Sequence, residues 1–273
     1  MELDGQPKPA LNKRRLRQAL ILVCLLIVLI YLAAPPWAPL DKAHLVGYAI
    51  CHQIPSRTYS MGGHALPLCA RCTGTYLGIA LGLSTAVLLR RGKAGELPAP
   101  GMLVLLGAFV LAMAVDGGNS YLVLLGRPPL LYVPQNWLRT ATGTLNGIAL
   151  SMIVLPVFNF TLWKDAQPIR VLRKAWELLP MLAVGALVIV LLQLGPGWLL
   201  YPMAAISASG VLLMLTMVNT MILLILARQD GLATTWREAA LPLLGGLVTT
   251  LIELTAIGLI RYWMTGTMAW PAT

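Results

Sequence analysis

Charge is what this chain has least of. Only 11% of its residues are charged, against about 25% in soluble domains. Acidic side chains are the scarcer kind, ten against twenty Lys and Arg. Several chemical signatures are also missing. There is no glycine-rich nucleotide loop, no H-E-x-x-H and no serine-triad signature. No basic stripe is interleaved with aromatics, which argues against nucleic acid as a partner despite the net charge of +10. No clear internal repeat appears, so an inverted-repeat transporter finds no support.

What the chain has in excess is apolar sequence. Its 58% hydrophobic content exceeds what a water-soluble core absorbs, and a bilayer accepts the remainder. The pattern predicts an all-α, polytopic transmembrane bundle of about seven spans. Residues 1–17 read as a disordered basic cytoplasmic tail and 18–34 as the first span, stopped by Pro35 and Pro36. That first span is expected to stay as an anchor, a cleaved signal ending near Ala33-Ala34 being the alternative. Residues 35–162 form a core with an outer loop over 35–70 and spans over about 73–89, 100–115 and 139–161. Residues 163–273 add spans over about 176–194, 198–227 and 239–262. Asp116-Gly117-Gly118-Asn119 is expected to break the third apolar run, leaving 120–135 as an interfacial loop.

Lys and Arg gather in the tail, in 90–93, in 164–174 and in 228–237. The positive-inside rule then puts the N-terminus in the cytoplasm and the C-terminus outside. An inner (plasma) membrane location follows, with the 35–70 loop on the extracytoplasmic face. The lipid bilayer is the first partner, anionic headgroups attracting the basic clusters.

That outer loop holds nearly all the reactive side chains. Cys69-Ala70-Arg71-Cys72 is a C-x-x-C, with Cys51, His52 and His64 in the same stretch. C-x-x-C spacing lets two thiolates face one tetrahedral metal, and N/S donors suit zinc. The metal set is Cys51, His52, Cys69 and Cys72, with His64 as a substitute ligand. The same residues suit a dithiol/disulfide couple passing electrons to a quinone, since a helix start and Arg71 both lower a thiol pKa. A third reading is a purely structural site. Cys24 lies inside an apolar run and reads as an inert membrane thiol.

Other polar residues fall on the same expected face. Arg57 can grip an anionic group through its planar fork. Arg139, Thr142, Gly143 and Asn146 form one helical stripe, and Asp116 is expected to pair with Arg139. Glu253 lies inside the last span, a candidate for proton transfer or a bond to Asn219 or a threonine. Gly74, Gly78 and Gly82 recur every fourth residue and predict a close helix contact. Arg57, Asp116, Arg139 and Glu253 are the catalytic candidates if the protein is an enzyme.

Cys51-His52-Gln53, Arg57, Cys69-Ala70-Arg71-Cys72-Thr73-Gly74, Tyr76 and Gly78 resemble an uncharacterised prokaryotic family of multi-pass membrane proteins, a domain of unknown function. The later Asp116-Gly117, Asn136, Leu138-Arg139 and Thr142-Gly143 extend the resemblance over about 50–150. It lends no activity. It implies that Cys51, His52, Arg57, Cys69, Arg71, Cys72, Asp116, Arg139 and Thr142 belong to one site. The functional expectation is a membrane enzyme or binder, acting on a lipid or small molecule at the outer leaflet beside a zinc site. A quinone-linked thiol oxidoreductase and a structural subunit of a membrane complex are the alternatives.

Overall fold

A computed structural model describes residues 10–268. Helices occupy every stretch expected to span: α1 (Ala10–Ala33), α3 (Ala70–Leu88), α4 (Pro100–Leu124), α5 (Asn136–Leu162), α6 (Leu179–Leu194), α7 (Leu200–Leu226) and α8 (Trp236–Thr265). One further helix, α2 (Pro39–Ile50), lies in the loop between α1 and α3. Five helices, α4 to α8, are long and apolar enough to cross a membrane. Their outer faces carry Val104, Leu111, Phe160, Leu187 and Leu259, all exposed. A contiguous apolar surface of this kind calls for lipid.

The helices alternate in direction. The Cys-bearing end gathers the starts of α3, α5 and α7 and the finishes of α4, α6 and α8. The contacts fix this: Arg71 meets Asp116, Gly62 approaches Gly197, and Arg261 reaches Cys51. Lys42 donates to the carbonyls of Tyr31 at 3.1 Å and Ala34 at 2.7 Å, closing the last turn of α1 at the same end. The other end holds the basic loops. There Arg91 grips Glu177 with two bonds of 2.8 and 3.0 Å. The strands β3 (Ala94–Glu96) and β4 (Gln167–Arg170) pair in parallel and tie two of these loops together. Thr235 and Glu238 form a capping box that starts α8.

α5 is the central helix. In its most apolar window 61% of the residues are buried, against 17–28% in the other four long helices. It runs parallel to α3 with backbones nearly touching. A Cβ on Gly74 would stand 2.2 Å from the Thr140 carbonyl oxygen, and one on Gly78 would stand 2.1 Å from that of Thr144. Gly147 of α5 answers from the other side, 1.9 Å from the Thr75 oxygen. The glycine spacing in α3 therefore marks a seam that is backbone against backbone at Gly74 and Gly78, and that admits the Ser151 side chain against Gly82.

Four expectations change. α4 does not end near Val115 but continues to Leu124. Asp116 is no barrier there, because Arg71 neutralises it inside the bundle. Gly117 and Gly118 face open space and leave the helix undisturbed. The connecting loop is thus 125–135, and Asn119 cinches it by accepting from the Leu130 and Leu131 amides and donating to the Tyr132 carbonyl. α1 already begins at Ala10, so residues 10–17 are helical and not disordered; the rest of the basic tail lies outside the described residues. α3 starts at Ala70, ahead of the expected 73, which places Cys72 in its first turn. Finally, the 35–70 loop is ordered by α2 and by a hairpin of β1 (Ser60–Met61) and β2 (His64–Ala65).

The seam makes a direct prediction. Gly78→Leu forces a side chain into the Thr144 backbone and is expected to cost on the order of 3 kcal/mol. Gly107→Leu, on a face of α4 with nothing within 4 Å, is expected to leave the thermal midpoint in detergent nearly unchanged.

Candidate functional site

The C-x-x-C is presented by a helix start. Cys69 is the N-cap of α3, and Cys72 sits one turn below it on the same side. Cys51 is the C-cap of α2, arriving from the opposite direction. The three sulfurs lie within 4.8 Å of one another. Thiolates on one tetrahedral zinc stand about 3.8 Å apart, given Zn–S bonds of ~2.3 Å. All three are free thiols, with Cys51 and Cys69 buried.

Backbone amides point at the sulfurs. Cys51 Sγ accepts from the Cys69 amide at 3.2 Å and the Gln53 amide at 3.4 Å. Such bonds favour the charged sulfur. As protein groups alone, the thiols divide charge unequally. Cys69 is held far below the ordinary thiol value by hydrogen bonds from Cys51 and Cys72, against burial, and further by His52. Cys51 is pushed up to about 11, chiefly because its thiol donates to Cys69. Cys69 is thus the sulfur most disposed to carry charge, and a cation entering the cluster would displace protons from the others.

His52 lies against Cys69 but outside the close sulfur group. Its Nδ1 accepts from the Ile54 amide at 3.0 Å, so Nε2 is the atom left to face Cys69. To ligate an ion through Nε2, the ring must move its proton to Nδ1 and give up the Ile54 bond. His64 sits on β2, in an exposed stretch, and like His52 it is outside the close sulfur group.

Gln53 explains why these parts converge. Its φ of 52° is left-handed, unusual for a side chain of this size. The turn is held because its Nε2 donates to the carbonyls of Pro67 at 2.8 Å and His44 at 3.1 Å. One side chain thereby joins the end of α2 to the approach to Cys69. Gly47 makes room for it, since a Cβ there would stand 2.1 Å from the Pro67 oxygen.

Arg261 closes the site from α8. Its Nη1 donates to the carbonyls of Tyr48 at 2.6 Å and Cys51 at 2.5 Å, and its Nη2 to that of His52 at 3.2 Å. The guanidinium also stacks 4.1 Å from the centre of the Tyr48 ring. The signal in the sequence is a lone arginine at the less basic end of the last span.

The polar candidates assemble next door, with different partners from those expected. Asp116 pairs with Arg71, not Arg139: Arg71 Nη2 reaches Oδ2 at 2.5 Å and Nε reaches it at 3.1 Å. Arg71 reaches Asp116 from the first turn of α3 and bonds Ser120, one turn further along α4, as well. Tyr132 donates to Oδ1 at 2.9 Å, and its hydroxyl is pushed up to about 12, by burial and then by this bond. Arg57 donates to the Ser120 carbonyl at 3.1 Å, while Arg71 reaches the Ser120 hydroxyl at 3.0 Å. Arg139 Nη1 donates to Asn136 Oδ1 at 2.7 Å. Thr142 turns its hydroxyl back to the Leu138 carbonyl. Glu253 stands apart, about 12 Å along α8 from Arg261, and accepts from Asn219 at 3.0 Å.

An all-α bundle with five described helices long and apolar enough to cross a membrane, and with a thiol cluster and an arginine group at one end, defines a polytopic helical membrane protein. Residues 51–153 match the family described as Predicted membrane protein (DUF2085). The uncharacterized protein MJ1492 of Methanocaldococcus jannaschii is 31% identical over 115 residues, covering 42% of this chain and 67% of that relative. An uncharacterized protein of Methanothermobacter thermautotrophicus is 62% identical over 29 residues, covering 11% of this chain and 26% of its own. The chain belongs to the DUF2085 family. No solved structure matches it.

Arg261→Gln removes charged donors from three loop carbonyls and is expected to cost about 1–3 kcal/mol. Hydrogen exchange is expected to speed up at the Cys51–Ile54 amides more than elsewhere in the bundle. Unchanged exchange there would mean that α8 does not hold the loop.

Proposed function

We propose that this membrane protein holds a zinc ion through Cys51, Cys69 and Cys72, with His52 as the fourth ligand. The observation that carries the reading is the mutual approach of three sulfurs from two helix ends, one of them receiving two backbone N–H bonds. Three sulfur donors and one imidazole are a set that zinc prefers. His52 completes it once its proton moves from Nε2 to Nδ1.

In this reading the cluster faces the extracytoplasmic side of the inner (plasma) membrane. Support comes from Arg90, Arg91, Lys93, Lys164, Arg170, Arg173, Lys174, Arg228 and Arg237, which all lie at the opposite end. The zinc centre orders the loop, and the protein binds a lipid or small molecule beside it. An apolar groove of about 590 Å³ between α1, α2 and α8, lined by Tyr31, Leu45, Tyr48, Gly258 and Tyr262, suits an acyl chain. Tyr48 connects this groove to the Arg261 clamp and so to Cys51.

Metal analysis of the purified full chain tests the reading. About one zinc per chain is expected, falling to near zero in Cys69→Ser. Zinc-free protein with a reversible Cys69–Cys72 disulfide would favour the quinone-linked thiol oxidoreductase instead. Reporter fusions within 55–65 are expected to report the extracytoplasmic side; a cytoplasmic signal there would reverse the topology.

A further inference from the structure

The arginines beside the sulfur cluster are more numerous than the protein's own anions require. Arg57, Arg71 and Arg139 meet around the far end of α4, where Asp116 is the carboxylate that faces them. Asp116 is already satisfied by Arg71 and Tyr132. Two guanidinium charges are left over in a partly buried place. A zinc centre of three thiolates and a neutral imidazole carries one negative charge, so a positive excess remains beside it.

The donors are unspent as well. Arg139 is 7% exposed, and its Nε is buried with no hydrogen-bond partner. Leaving a charged donor so is costly unless something else accepts from it. The first turn of α5, which carries Arg139, has no acidic residue and no side-chain cap, so the helix start adds positive potential there. The arrangement is held in place: Asn136 receives Arg139 and donates to the Ser56 carbonyl at 3.3 Å, next to Arg57. Arg57 and Arg71 share Ser120 through its carbonyl and hydroxyl.

We infer that Arg57, Arg71 and Arg139 form an anion site that takes a phosphate group, seated over the first turn of α5 and next to the Cys51–Cys69–Cys72 cluster. A phosphate offers several oxygens to donors arriving from three elements, whereas a carboxylate offers two on one edge. Arg71 is the fixed wall, its charge largely spent on Asp116. Arg139 supplies the unpaired Nε, and half-exposed Arg57 closes over the group. A lipid headgroup and free phosphate present the same chemistry. The inference stands beside the metal reading and does not rest on it.

The test uses the full chain in a neutral maltoside detergent, titrated with inorganic phosphate in a calorimeter. A parallel arm uses phosphatidylcholine nanodiscs with or without phosphatidic acid, reading retained lipid by native mass spectrometry. Saturable binding of either probe is expected, about one per chain. Arg139→Gln and Arg57→Gln should each weaken it at least about tenfold. Arg139→Lys, which keeps the charge but not the fork, should fall between, and exposed Arg127→Gln should bind as wild type. Retention of phosphatidic acid with no binding of inorganic phosphate assigns the group to a headgroup. Failure of both probes, or binding indifferent to Arg57 and Arg139, overturns the inference. Arg57→Gln keeps the test decisive should the buried Arg139 variant fail to fold. Zinc per chain is measured on the same samples: intact zinc without phosphate binding sinks only the anion site, and phosphate binding without zinc sinks only the metal centre.

Discussion

The structure depends on the backbone contact between α3 and α5. Along it, a methyl group added at Gly74, Gly78, Gly143 or Gly147 would collide with a carbonyl oxygen of the facing helix. Such a seam has no slack, because neither partner is a flexible side chain. Its upper end lies at the site itself: a Cβ on Gly143 would stand 2.2 Å from the Arg71 oxygen. The turn carrying Cys69 and Cys72 is therefore locked against the turn carrying Arg139 and Thr142. Thiol cluster and arginine group are two sides of one joint. The family match, residues 51–153, contains the Cys loop, α3, α4 and the upper part of α5, the elements that build this joint.

The remaining helices act on the joint from outside. α8 lies beyond the family match and still reaches Cys51 and His52 through Arg261. α7 packs Gly210 against the Tyr76 ring and seats Val211 in the apolar cluster that includes Cys51 and Cys69. A bare joint of three helices in lipid would leave the loop carbonyls of residues 48–52 without donors, which hydrocarbon does not tolerate. Charge placement follows the same logic. At the Cys end, Arg57, Arg71, Arg139 and Arg261 are each engaged with a backbone or side-chain group of the site. Most of the remaining Lys and Arg of the described residues lie at the opposite end, Lys42 and Arg127 excepted.

Much of this was legible in the residues because lipid simplifies the code. Apolar runs of helical length marked the helices, and glycine every fourth residue marked the seam. The cysteine spacing marked the sulfur cluster. Asp116 reads as an interruption because a charge in an apolar run does so until its partner is known. That partner, Arg71, is 45 positions away and equivalent in sequence to Arg139 or Arg57. α2 is hidden because a twelve-residue helix is too short to read as a span, and the prolines before it and the polar stretch after it read as loop. Gln53 and Arg261 act on backbone carbonyls, and no residue pattern announces which carbonyls will need a donor. His64 is equivalent to His52 in composition, yet it sits in an exposed hairpin strand, while His52 follows the Cys51 helix cap directly.

Zinc-edge X-ray absorption on the purified protein reads the convergence of these sulfurs most directly. About three sulfur neighbours at ~2.3 Å and one nitrogen at ~2.0–2.1 Å are expected. A first shell of nitrogen and oxygen alone, unchanged when Cys51 is replaced by serine, would contradict it.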